Sequence, residues 1–166
     1  MKVVVKALAA VLREGPAGPE VLAFRHPTAG LQLPKGTVEP GETIAAGARR
    51  ELREESGLVL DGPLEHLGVW ERVVRGGPNE DGPWEVNRWW VTVIRADRPL
   101  PDRWEHRAEG SPAEEGLVFR FAWLPLDARL PGALDPLFET IAAMLLHHAE
   151  VSSRQGPDHP GGIGTT

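Results

Sequence analysis

The stretch from Gly36 to Leu58 reads GTVEPGETIAAGARRELREESGL, and its second half has the pattern of an amphipathic helix. From Thr43 to about Ser56 there is no proline, and Ile44, Ala48 and Leu52 recur one turn apart on a single stripe. Thr43 can cap the start, and Gly57 suits a left-handed stop. At this pitch Glu51 and Glu55 lie roughly 40° apart and Glu54 is rotated the other way, so three carboxylates share an arc of about 100°. Such neighbours repel by roughly a few tenths of a kcal/mol per pair. Cations must therefore sit among them, either Arg49, Arg50 and Arg53 or a metal ion. A solvated, salt-bridged helix face satisfies the same spacing, since Arg50 is four residues from Glu54.

The residues around the helix narrow the choice. Gly36, Glu42, Arg50, Glu51, Leu52, Glu54, Glu55, Gly57 and Leu58 fill every fixed position of the pattern G-x5-E-x7-R-E-U-x-E-E-x-G-U. Nine specified positions at fixed spacing are far more specific than a lone glycine motif. On these residues the chain resembles the Nudix hydrolases, whose signature is this box. The resemblance implies an α/β fold, an α/β/α sandwich with a mixed β-sheet in which the box forms loop, helix and loop. It also implies attack by water on phosphorus in a nucleoside diphosphate linked to another moiety, with Mg2+ or Mn2+ as cofactor. The run Leu33-Pro34-Lys35-Gly36 through Glu42 is similar to members acting on dinucleoside and nucleoside polyphosphates. ADP-ribose, nucleotide sugars and a non-catalytic nucleotide-sensing domain are the alternatives.

Chemistry assigns provisional roles within that frame. Magnesium takes hard oxygen ligands, so Glu51, Glu54 and Glu55 with the Gly36 carbonyl form the expected metal set. Arg50 is expected to orient Glu51 or Glu54 through a charge-assisted pair, with Glu42 in a similar supporting part. Either Glu51 or Glu55 could accept the proton from water. Family members often place an acid before a late strand, and of Glu109, Glu114 and Glu115 the expected one here is Glu115. Arg25 and Lys35 are candidates for substrate phosphates. With six Trp and no Tyr, a base would have to stack on a tryptophan, and Trp89 is the candidate. The six histidines show no metal-ligand spacing.

Outward from the box, Val3 to Leu12 and Val21 to Phe24 predict two strands joined across Glu14 to Pro19, and Leu31 to Pro34 predicts a short third. Leu64 to Val74, Trp84 to Ala96 and Leu117 to Leu124 carry further strand chemistry. Asp97 to Gly116 shows no period and predicts a long functional or mobile loop. Leu137, Ile141, Met144, Leu145 and His148 predict a helix after Asp135-Pro136. One domain over 1–151 is expected, with a disordered tail over 152–166 that has little to bury.

The bulk numbers agree with one globular domain: 166 residues, 41% hydrophobic and 25% charged. The absence of cysteine excludes disulfides and thiolate sites, and with no leader pattern and no long apolar run the expectation is a soluble, cytoplasmic protein. A net charge of -6 argues against a grip on duplex nucleic acid. The expected partner is a small nucleotide substrate, and the resemblance adds a possible homodimer.

Overall fold

In the computed structural model, which describes residues 1–156, the first two apolar runs form β1 (Lys2–Gly15) and β2 (Gly18–Arg25). They pair antiparallel up to Gly15 opposite Gly18, so only Pro16 and Ala17 span the turn. The third extended piece splits into β3 (Leu31–Gln32) on β2 and β4 (Lys35–Thr37) on β1. Pro34 stands at the division, where a residue without an N–H cannot continue a ladder. The chain thereby crosses from β2 to β1 just before α1 (Ile44–Ser56).

Next come β5 (Leu64–Arg75) and β6 (Trp84–Arg95), then β7 (Arg103–Arg107) and β8 (Val118–Pro125). The sheet order is β5-β6-β1-β2-β8-β7, with β3 and β4 attached to β2 and β1. β1 runs parallel to β6 while its other neighbours are antiparallel, so the sheet is mixed. Two-residue alternation divides β1 between two cores. Ala7, Ala9 and Val11 face α1, packing with Ala48, Leu52, Phe24, Phe119 and Phe121. Leu8, Ala10 and Leu12 face α2 (Leu130–Ala133) and α3 (Glu139–Arg154), packing with Trp89, Leu130, Phe138, Ile141 and Leu145. The α/β/α sandwich expected from the box is the observed architecture.

Three expectations need adjustment. The stretch 97–116 is not a plain loop, because β7 lies within it and pairs with β8. Its sequence RWEHR alternates charged residues outward with Trp104 and His106 inward, and charge on an edge strand masks the apolar signal. Asp135 caps a 3₁₀ turn over Pro136–Phe138 before α3 begins, and α2 was not foreseen. α3 continues to Arg154, three residues into the expected tail, and residues 157–166 lie outside the described residues. No helix of the described residues is long and apolar enough to cross a membrane.

Trp89 and Trp90 take opposite faces of β6, as adjacent strand residues must. Trp89 is only 3% exposed and meets Trp70 edge-on at 5.0 Å and Phe138 at 5.6 Å. Trp89→Ala should therefore cost about 3 to 5 kcal/mol in urea unfolding. A loss below about 1 kcal/mol would show that the ring is not a core element.

Candidate active site

The capped helix sets the direction of the acids. Thr43 Oγ1 accepts the Ala46 N–H at 3.1 Å, and Gly57, at φ 77°, donates to the Arg53 carbonyl. Ala48 and Leu52 anchor one side of α1 in the core, which brings Glu51 and Glu55 to a flank under β4. Glu51 is 7% exposed and Glu55 2%. Gly36 on β4 lies so close to Glu51 that a methyl group there would overlap the carboxylate. The Lys35 backbone N–H donates to Glu55 at 3.3 Å.

Arg50 ties the acids together. Its Nε and Nη2 donate to Glu42 at 2.8 and 3.0 Å, and Nη2 also reaches the Thr37 carbonyl at 2.8 Å. Its Nη1 donates to Glu51 at 2.7 Å and to Glu54 at 3.1 Å. The guanidinium thus touches both Glu51 and Glu54, where the sequence left one or the other open. Its charge holds Glu42 below the ordinary carboxylate range, and Glu42 and Glu51 hold Arg50 more firmly protonated than a free arginine.

Burial acts in the opposite direction on the other two acids. Desolvation raises Glu51 despite Arg50, with Glu54 and Glu114 adding to the rise. It raises Glu55 well above the usual range, reinforced by Glu114 and Glu51 and opposed by Lys35. Desolvation and the neighbouring Lys6 lower Lys35. The site therefore concentrates buried negative charge that the protein neutralises only in part.

Beside Glu55 lies a cleft of about 360 Å³ whose walls include Lys6, Gly36, Arg50, Glu51, Glu54 and Glu114. The connection from β7 to β8 forms one wall. The Glu109 N–H donates to the Glu54 backbone carbonyl at 3.1 Å, and Gly110, at φ 85°, abuts the Glu54 carboxylate so closely that a side chain would displace it. Among the described residues no three acids or histidines stand close enough to form a ready metal cluster. Arg50 accounts for this in part, its guanidinium being bonded to both Glu51 and Glu54. The donor set is nonetheless all oxygen and under-neutralised, which fits a hard divalent cation.

Several expected residues fall elsewhere. Glu115 is exposed and does not line the cleft; the neighbouring Glu114 does. Trp89 is in the core, with Lys35 Nζ 4.8 Å above its ring, and offers no open face to a base. Lys35 also stands 5.8 Å over Phe138, so its ammonium is directed toward the α3 side of the sheet. Arg25 lies on a different groove, of about 470 Å³, with Leu31, Arg103 and Leu124. Lys6 was missed, although a lysine interrupting the apolar run of β1 is the signal that could have marked it.

The comparisons with known proteins agree with this geometry. The NUDIX domain family matches over residues 4–145. Among solved structures, Caenorhabditis elegans Ap4A hydrolase is similar at 17% identity and a TM-score of 0.56, over 90% of this chain and 98% of that one. A NUDIX hydrolase from Listeria monocytogenes is similar at 17% identity and a TM-score of 0.59, over 89% and 95%. The NUDIX domain of Shewanella oneidensis NrtR, solved with ADP ribose, is similar at 15% identity and a TM-score of 0.57, over 92% and 89%. No curated protein is similar enough to count as a match. At these identities the solved structures speak for the fold, whereas the family match spans most of the sequence, including every position of the box. The chain belongs to the Nudix hydrolase superfamily.

Proposed function

We propose that the protein is a divalent-metal-dependent pyrophosphohydrolase that cleaves a nucleoside polyphosphate, dinucleoside polyphosphates being the favoured class. One observation carries this reading: Glu51 and Glu54 from α1, Gly36 from β4 and Glu114 from the β7–β8 connection converge on one cleft, with Glu55 buried beside it. Glu51, Glu54, Glu55 and the Gly36 carbonyl would hold Mg2+ or Mn2+. When bound, the ion supplies neutralisation of phosphate charge and a lower pKa for the attacking water.

The chain's own groups do the rest. Lys6 lines the cleft without a carboxylate within ion-pair distance among the described residues, which suits it to a phosphate oxygen. Lys35 adds positive charge from the α3 side. Arg50 holds Glu51 and Glu54 at the cleft, so each has only a short way to move to take the ion. Water forms a new bond to phosphorus, the anhydride P–O bond breaks, and the proton passes to one of the facing carboxylates, Glu51, Glu55 or Glu114. Arg25, remote on its own groove, suits a more distal part of the substrate.

The test is product chromatography across dinucleoside polyphosphates, ADP-ribose, nucleotide sugars and nucleoside triphosphates, each with Mg2+, Mn2+ or chelator. ADP-ribose belongs in the panel because the NrtR domain was solved with it. The expected result is metal-dependent cleavage, fastest on dinucleoside polyphosphates. Turnover that survives the chelator would reject the metal; faster ADP-ribose cleavage would replace the substrate class.

A further inference from the structure

On the α3 side of the sheet, Leu31 and Leu124 pack against the core, and next to them a groove of about 470 Å³ opens over β2, β8 and β7. Strand register explains its shape. Ala23 pairs with Ala122, which pairs with Arg103; two residues along, on the same face, Arg25 pairs with Arg120, which pairs with Glu105. The two alanines are too short to fill the slot between the leucines and the arginines, so the floor is apolar and the rim is cationic. The groove shares no wall residue with the cleft of Glu51 and Glu54. Its charges are out of balance. Arg25 and Arg120 stand directly opposite each other on neighbouring strands, an arrangement of like charges that ordinarily destabilises a sheet. Glu105 is bonded to Arg120 at 3.0 Å. Among the described residues, neither Arg25 nor Arg103 has a carboxylate within ion-pair distance. Three arginines against one glutamate leave two positive charges on one rim, in a chain at -6.

We propose that this groove is a second binding site that takes a nucleotide, with the phosphomonoester on Arg25 and Arg103 and the base on the floor of Ala23 and Ala122. Charge, volume and shape select that class. A phosphomonoester carries about -1.5 to -2 at pH 7, which matches the two uncompensated guanidiniums, whereas a carboxylate balances only one of them. Each guanidinium can fork to two phosphate oxygens. A volume of about 470 Å³ falls within the roughly 300 to 1,000 Å³ of small-ligand sites, so it suits a mononucleotide rather than a polymer. A flat ring can lie on the short alanines, with an arginine stacked on its edge of the slot. Two sources supply such a phosphate: a free nucleotide, or the far end of a dinucleoside polyphosphate held in the cleft. Only the second of these rests on the hydrolase reading.

Calorimetric titration of the full chain with adenosine 5′-monophosphate, in chelator and without metal, tests the site. The nucleotide should bind, and adenosine, which lacks the phosphate, should bind at least about tenfold more weakly. Arg25→Gln and Arg103→Gln should each weaken nucleotide binding about tenfold with no fall in Tm, because both side chains are exposed and unpaired. Ala122→Leu, which fills the floor, should weaken it as much, while Lys6→Met in the cleft should leave it unchanged. Arginine variants or Ala122→Leu that bind like the wild type, adenosine that binds as tightly as its phosphate, or loss of binding in Lys6→Met would each overturn the proposal. So would the absence of binding at millimolar nucleotide. Metal-dependent hydrolysis then separates the two sources. A KM for a dinucleoside polyphosphate about tenfold higher in Arg25→Gln, at constant kcat, assigns the groove to the far phosphate of the substrate, and an unchanged KM assigns it to free nucleotide. A wild type without turnover would overturn the hydrolase reading and leave the calorimetric result for the groove intact.

Discussion

Glu54→Gln is expected to lower metal-dependent turnover on the order of 10³-fold while leaving the fold intact, because it removes charge and almost no volume. The Gln carbonyl can still accept the Arg50 Nη1 bond that Glu54 makes at 3.1 Å. The Glu109 N–H bond to the residue 54 backbone is untouched. What disappears is an anionic oxygen of the proposed metal set, the kind of donor that a hard cation needs. Two readouts separate this role from a structural one. The Tm without metal should stay within about 2 °C of wild type, while the rise in Tm on adding Mg2+ or Mn2+ should shrink, since a weaker site gives less binding-linked stabilisation. Wild-type turnover in this variant would reject Glu54 as a ligand, and a large fall in Tm without metal would show that its charge supports the fold instead.

The box was legible because its information is local. Helix pitch puts Glu51, Glu54 and Glu55 on one arc from spacing alone, and Thr43 and Gly57 mark the ends of α1 within a residue. The parts that needed the structure are those that depend on which strands meet. Glu114 and Glu115 are indistinguishable as neighbours in a loop; only the turn after β7, held by the Glu109 bond to Glu54, decides which one lines the cleft. Trp89 and Trp90 illustrate the same limit. Alternation says that they part, but only the docking of Phe138 on the Trp89 side says which is buried. β7 was hidden because Arg103, Glu105 and Arg107 give it the composition of a loop, as suits an exposed edge. Lys6 joins the site through the pairing of β4 with β1, which places Thr37 opposite it and Gly36 beside it. Sequence pattern therefore names the helix-borne acids, and sheet topology names the groups that face them.

Arg50→Leu should cost about 3 to 5 kcal/mol, because it strands Glu42 and Glu51 as part-buried carboxylates without a cation and leaves Glu54 only the exposed Arg53 at 4.0 Å. For a domain of this size that corresponds to a fall in Tm of about 10 °C. The pH dependence identifies the cause. In the wild type Arg50 depresses Glu42 below its usual value of 4.5, so the stability of that pair is present above the unfolded pKa and is lost as pH falls through the lower folded one. In the variant the orphaned acids bind protons more readily folded than unfolded, so lowering the pH relieves the repulsion. The gap between wild type and Arg50→Leu should therefore narrow from pH 7 toward pH 4. Arg50→Lys tests geometry apart from charge: one ammonium cannot fork to Glu42 while also reaching Glu51, Glu54 and the Thr37 carbonyl, so it should recover part of the stability and little of the turnover. A gap that stays constant across that pH range would mean the loss comes from packing of the arginine stem. Full activity in Arg50→Lys would mean that positive charge alone, without the fork, keeps Glu51 and Glu54 in place.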